Sequence, residues 1–297
     1  MVEPVVAGTD ADTEASVAAA LEQRRQRRYL VHELLHSSTF MVGSSIVLFW
    51  IVMALFSTVI TQSPLAVHPF ATLKGPSAAH WMGTDSLGRD VLARTMAGAR
   101  SVLVVAPLAT LLALALGTAI GLISGFYRGV ADDVIMRLVD VLLSLPVVIT
   151  AILILSLAGK STAVVIVVIG ILFTPLVSRT VRSAVLRERE REYVLASRLR
   201  GERSWFVMAG EIMPNITAPI VVEGTVRLGY AVFTAATLSF LGFGLQPPSP
   251  DWGLTIASNR VYVQFAWWTV IFPAIALASL VVGVNLIADG LTRVFSR

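Results

Sequence analysis

Six stretches of this chain, at about 40–62, 101–126, 138–158, 161–178, 216–243 and 266–288, are apolar almost throughout. Each is close to the roughly 18–20 residues that carry a helix across a lipid hydrocarbon core. Lipid offers no partner to a free N–H or C=O, so such a segment has to satisfy its backbone internally, as a helix does. This patterning predicts an all-α membrane protein with six transmembrane helices. Composition agrees: 56% of the 297 residues are hydrophobic and 14% are charged, with a mean hydropathy of +0.78. A soluble domain carries roughly 25% charged residues. No cysteine is present, which excludes disulfides, thiolate catalysis and cysteine metal sites.

The connecting segments are polar and unequal. Residues 1–39 start as a small, acidic, alanine-rich stretch with too little apolar content to build a core. The basic cluster Arg24, Arg25, Arg27 and Arg28 follows, so this part reads as a disordered tail with a charge anchor. Residues 40–100 hold the first span and a polar segment, 101–290 the other five spans, and 291–297 a short tail. Pro146 interrupts the third span and Pro175 lies near the end of the fourth. Residues 127–137, with Arg128, Asp132, Asp133 and Arg137, read as a short loop. Six spans put both termini on one side. With the N-terminus inside, sixteen of the 23 cations fall on inner segments, six on outer ones, and Arg227 within a span. Cations gather on the cytoplasmic side, so both termini and the segment 179–213 are expected in the cytoplasm. The net charge of +4 thus reflects topology and calls for no nucleic-acid partner.

Inside the spans, Gly117, Gly121 and Gly125 form a stripe that lets a neighbouring helix approach backbone to backbone. Glu223 and Arg227, four apart in the fifth span, are expected to pair with each other and face the bundle interior or a water-filled path. Both a cavity-lining pair on a substrate route and a structural ion pair fit that spacing. Gly159-Lys160-Ser161 ends like a phosphate-binding loop, but the glycine needed five positions before Gly159 is Ile154. It reads as a tight turn, and no nucleotide site is expected. The four histidines, His32, His36, His68 and His80, all lie near the start and fit no catalytic or metal constellation. The chain is therefore expected to be non-catalytic, with no cofactor and no metal of its own.

The segment Arg191–Gly201, running on to Glu211-Ile-Met-Pro-Asn215, sits between two spans and must stand in water. Tyr193, Ala196 and Ser197 fall at i, i+3 and i+4, on one face of a short helix. Arg191 and Arg198 share another face. Gly201 suits the left-handed residue that closes a helix, and Pro214 suits the first turn of the next.

This segment resembles the coupling loop of ABC importer permeases, whose consensus runs Glu-Ala-Ala, three residues, Gly, and later Ile-x-Leu-Pro. Here it reads Leu195-Ala196-Ser197, Gly201 and Glu211-Ile-Met213-Pro214, so the leading Glu and the second Ala are replaced. Two further stretches resemble signatures of the C-type permease of dipeptide and oligopeptide importers. One is His80-Trp-Met-Gly83-Thr84-Asp85-Ser-Leu-Gly88-Arg89-Asp90. The other is Leu238-Ser-Phe-Leu-Gly-Phe-Gly-Leu-Gln246-Pro247-Pro248-Ser-Pro-Asp-Trp252-Gly253. Together the resemblance covers about residues 28–295. It implies six helices of the ABC type I importer permease kind, with a cytoplasmic coupling helix between the fourth and fifth spans in a loop at about 187–214. It also implies a bacterial cytoplasmic-membrane subunit that imports peptides alongside a second permease, ATPase subunits that bind ATP and Mg, and an extracytoplasmic peptide-binding protein. Tyr193, Ala196, Ser197 and Gly201 would form the ATPase-docking face, with Arg198 and Arg203 at its rim. The stretches at 80–94 and 244–253 would meet the binding protein or hold an outer gate. A stand-alone ion-coupled carrier with Glu223 and Arg227 as its relay is the alternative.

Overall fold

The computed structural model describes residues 32–60 and 63–295; the basic cluster at Arg24–Arg28 lies outside them. Among the described residues the chain is helical, with no strand beyond one isolated bridge between Thr84 and Asp90. The long helices are α1 (Ser38–Ile60), α2 (Val91–Tyr127), α5 (Thr162–Glu188) and α10 (Trp268–Phe295), each long and apolar enough to cross a membrane. Two bent pairs bring the total to six: α3 (Val130–Ser144) with α4 (Val147–Ala158), and α7 (Ser204–Asn215) with α8 (Thr217–Phe240). Two further helices, α6 (Glu192–Leu199) and α9 (Trp252–Asn259), are short and lie between spans.

The core of the bundle is the α2–α5 pair. A Cβ at Gly117 would stand 2.5 Å from that of Val177, and one at Gly121 would stand 2.7 Å from the Ser178 carbonyl oxygen and the Val181 Cβ. The expected small-residue stripe is therefore a backbone contact between these two helices, in which dispersion replaces the absent hydrophobic drive. Helix α5 is the most enclosed span, with 61% of its apolar window buried, while only 11% of that of α1 is buried. Helix α1 packs on α10, where a Cβ at Gly43 would lie 2.6 Å from the Gly283 carbonyl oxygen.

Helix α10 runs to Phe295, past the expected end at 288, and three further boundaries differ from the sequence expectation. Helix α2 begins at Val91, ten residues before its apolar run, because Asp90 caps it by accepting from the Ala93 N–H at 2.9 Å. Helix α5 continues through Pro175 to Glu188. The expected loop at 127–137 is mostly helix: α3 starts at Val130, and the pair α3–α4 turns by 89° around Leu145 and Pro146. Ion pairs hold α3 against α5. Asp132 takes two guanidinium hydrogen bonds from Arg182, at 2.6 and 2.5 Å, and Arg179 reaches Asp140 at 3.4 Å. Those partners let a charged segment extend the helix where a hydropathy profile ends it. The 159–161 turn is tight as expected, with Gly159 at φ +93 and Lys160 donating to the Gly242 carbonyl at 2.9 Å.

Candidate functional site

Helix α6 stands at the end of the bundle where the chain's described ends meet, with Arg293 near Thr39. Its C-terminus is closed by a paired backbone motif: the Gly201 N–H donates to the Arg198 carbonyl at 3.0 Å and the Glu202 N–H to the Ser197 carbonyl at 3.2 Å. Gly201 has φ +74, the left-handed conformation that glycine adopts without a Cβ penalty. Arg200 donates to Glu202 at 2.7 Å and to the Ser197 hydroxyl at 2.8 Å, fixing the same end. Pro214 sits in the first turn after a π-helical segment, Val207–Ile212, and the span itself starts at Thr217 beyond a 69° bend.

Tyr193, Ala196 and Ser197 lie on the helix as their spacing expects, but they are not exposed together. Val194 and Ser197 are buried, at 0% and 1% exposure, against the chain's own body. Tyr193 is half-buried. Ala196 is exposed, and beside it stand Leu195 and Leu199, the latter at 89% exposure. Arg203 and Gly201 are also exposed, and Trp205 and Phe206 continue the apolar surface into α7. Helical spacing correctly grouped residues by face, but which face meets the body depends on the neighbours. Leu195 and Leu199, four apart and apolar in a segment bound for water, were the available signal.

Three contacts tie α6 to the spans. The Tyr193 hydroxyl donates to Glu188 at 2.8 Å, at the end of α5, and accepts from the Asn215 side chain at 3.1 Å, at the end of α7. Burial first, then the Glu188 hydrogen bond, pushes the Tyr193 phenol up to about 12. The Arg198 guanidinium lies 4.4 Å from the centre of the Phe126 ring, in the last turn of α2, with Nε and Nη2 buried and without an acceptor. Arg189 donates to the Phe126 carbonyl at 2.6 Å, capping α2, and burial followed by the nearby Arg198 and Arg128 lowers its pKa. Helix α6 thus contacts α2, α5 and α7 directly.

At the opposite end, the two stretches resembling permease signatures fold onto each other. Asp85, fully buried, accepts from the Leu87 and Arg89 backbone N–H groups at 2.9 Å each and from Arg89 Nε at 2.7 Å. Gly83 and Gly88 take positive φ, and Asp90 meets His80 at 2.9 Å. Arg94, 2% exposed, donates to the Ser249 carbonyl at 3.1 Å and to the Thr255 hydroxyl at 3.2 Å. Trp252, fully buried, donates to the Thr95 carbonyl at 2.7 Å and sets its ring edge-on to Trp50. Trp268 in turn donates to the Thr84 carbonyl at 3.1 Å. Asp251 caps α9 by accepting from the Leu254 N–H, and burial raises its pKa. Most of these side chains therefore hold the end of the bundle together rather than facing outward. Gln246, Pro247 and Pro248 are exposed, as are Phe70, Trp81 and Phe265 nearby. Arg94 is expected from sequence only as part of the outer stretch 80–94, and α9 is not expected at all, although an aspartate directly before an apolar run is a legible cap.

Glu223 and Arg227 do pair, at 2.6 Å, with side chains 12% and 16% exposed. Glu223 also accepts from Thr180 at 3.1 Å, which joins α8 to α5, and Arg227 lies 5.1 Å from the Tyr230 ring centre. The pair lies within α8, and through Thr180 it is a tie to α5.

Apolar spans around a backbone-packed core, with a short helix held against three of them, define a polytopic membrane protein. Residues 117–297 match the family of binding-protein-dependent transport system inner membrane components, and the chain belongs to that family. It is 40% identical over 251 residues to a dipeptide transport system permease protein of Alkalihalophilus pseudofirmus, covering 84% of this chain and 83% of that one. A glutathione transport system permease protein of Pectobacterium atrosepticum is 38% identical over 218 residues, 73% of this chain and 72% of the relative. A probable D,D-dipeptide transport system permease protein of Escherichia coli is 33% identical over 278 residues, 92% and 93% of the two chains. The chain is therefore a permease subunit, and the stand-alone ion-coupled carrier gives way to it.

Proposed function

We propose that this chain is one of two permeases in an ATP-driven importer of short peptides in the bacterial cytoplasmic membrane, with both termini and α6 in the cytoplasm. The substrate class follows the dipeptide and peptide systems named among its relatives. The orientation follows the sorting of its arginines. Partner ATPase subunits bind ATP and Mg, an extracytoplasmic binding protein delivers the peptide, and a related second permease completes the path.

The observation that carries the proposal is the exposed apolar surface of α6, at Leu195 and Leu199, flanked by Arg203 and Trp205, on a helix anchored to three spans. Exposed leucines on a water-facing segment suit a partner's groove. ATP binding closes the ATPases and displaces α6. The Arg198–Phe126 contact and the Tyr193 hydrogen bonds pass that displacement into α2, α5 and α7, so the path opens outward, and hydrolysis resets it.

The experiment is co-purification from the native membrane, comparing wild type with a chain whose residues 193–203 are replaced by a flexible linker. The expected result is that wild type brings down an ATPase and a second permease, and the variant loses the ATPase alone. Wild type that purifies alone and still transports in liposomes refutes the proposal.

A further inference from the structure

A cavity of about 460 Å³ runs between α8 and α10 toward the end that carries the termini. Tyr230 and Phe233 line it from α8, and Asn285 and Asp289 line it from α10. Both rings are more than half exposed, at 56% and 57%. Asn285 and Asp289 are one helical turn apart, exposed, and without a hydrogen-bond or ion-pair partner among the described residues. A Cβ at Gly229 would lie 2.6 Å from the Asn285 side-chain oxygen, so glycine there leaves that amide room to stand in the cavity.

Of the nearby cations, Arg227 pairs with Glu223 at 2.6 Å and lies 5.1 Å from the Tyr230 ring centre, and Arg293 reaches Thr39 at 3.3 Å. Asp289 stands one residue past the apolar run 266–288, where water or a polar partner covers it. A carboxylate, an amide oxygen and the Phe233 ring together match an alkylammonium group, which donates three hydrogen bonds and is drawn to the negative face of a ring.

We infer that this cavity receives the ammonium group of the transported solute and holds it between α8 and α10. That the ammonium belongs to a peptide rests on the proposed function; the chemistry of the site does not.

The chain has no cysteine, so Val226→Cys places a single thiol of this subunit on the cavity wall. In the assembled transporter in liposomes, a trimethylammonium methanethiosulfonate and a sulfonate one are compared for rate, each normalised to a free thiol. The cationic reagent is expected to react about tenfold faster, the scale of one nearby charge at intermediate dielectric. Asp289→Asn is expected to bring the ratio near one. A dipeptide amide, which keeps the ammonium but has no carboxylate, is expected to slow modification, whereas its N-acetylated form is not. Equal rates for the two reagents, or equal protection by the two peptides, overturn the inference. So does loss of the second permease from purified Asp289→Asn protein, which makes Asp289 a subunit contact. The labelling needs neither ATP nor a binding protein. Ammonium-selective protection without peptide uptake thus sinks the peptide reading and leaves the site standing. Uptake without charge preference does the reverse.

Discussion

Replacing Leu199 with serine tests the docking surface without disturbing the fold. Leu199 is 89% exposed on α6, so nearly the whole side chain is available to a partner and almost none of it packs against its own chain. Burying a leucine completely contributes about 1.5–3 kcal/mol. Losing that contribution at the interface raises the dissociation constant for the ATPase subunit about ten- to a hundredfold, at roughly 1.4 kcal/mol per decade. The assay is a titration of purified permease pair with ATPase subunit in detergent, with peptide uptake in liposomes measured alongside. Stability of the permease itself should move by less than about 0.5 kcal/mol, as for surface substitutions generally. Ser197→Leu is the contrasting change. Ser197 is 1% exposed and accepts a hydrogen bond from Arg200 at 2.8 Å, so a larger apolar side chain there overpacks the base of α6. It should lower thermal stability before it affects binding. Unchanged ATPase affinity in a stable Leu199→Ser protein refutes the argument that the exposed leucines form the contact.

Phe126→Leu keeps an apolar side chain under Arg198 but removes the ring face, a loss of about 0.5–2 kcal/mol. ATPase binding should persist while peptide transported per ATP hydrolysed falls several-fold; an unchanged ratio removes this contact from the coupling route. Tyr193 gives a pH signature. Its phenol is raised from 10.0 to about 12, so the stabilisation from its neutral form is fully present below pH 10 and lost as pH rises through 12. The absorbance titration of wild type minus that of Tyr193→Phe should place this tyrosine's ionisation near the upper value; a difference curve centred at 10 contradicts the geometry around Glu188.

Much of this architecture was written in hydropathy. A run of apolar residues long enough to cross lipid has one backbone solution, so α1, α2, α5, α8 and α10 could be placed from sequence. The closing of α6 at Gly201 was equally local, because only the residue at that position has to take a positive φ. Hydropathy reports what lipid tolerates, however, and says nothing about where a helix stops once its polar residues find partners. Asp132 and Arg182 are 50 residues apart, and their bond makes a helix of what read as a loop. Pro146 announced an interruption, but the 89° turn there is a property of how α3 lies against α5. Periodicity also fixes which residues share a face without choosing the face that turns inward. Val194 and Ser197 are buried because Phe126, Glu188 and Asn215 meet α6 on that side, which leaves Leu195, Ala196 and Leu199 to the outside. Arg94 is the extreme case: besides Asp85 at 3.7 Å, nine residues before it, it is held by Ser249 and Thr255, more than 150 residues away. Local chemistry set the spans and their caps; contacts between distant segments decided which side chains hold the bundle and which are left for a partner.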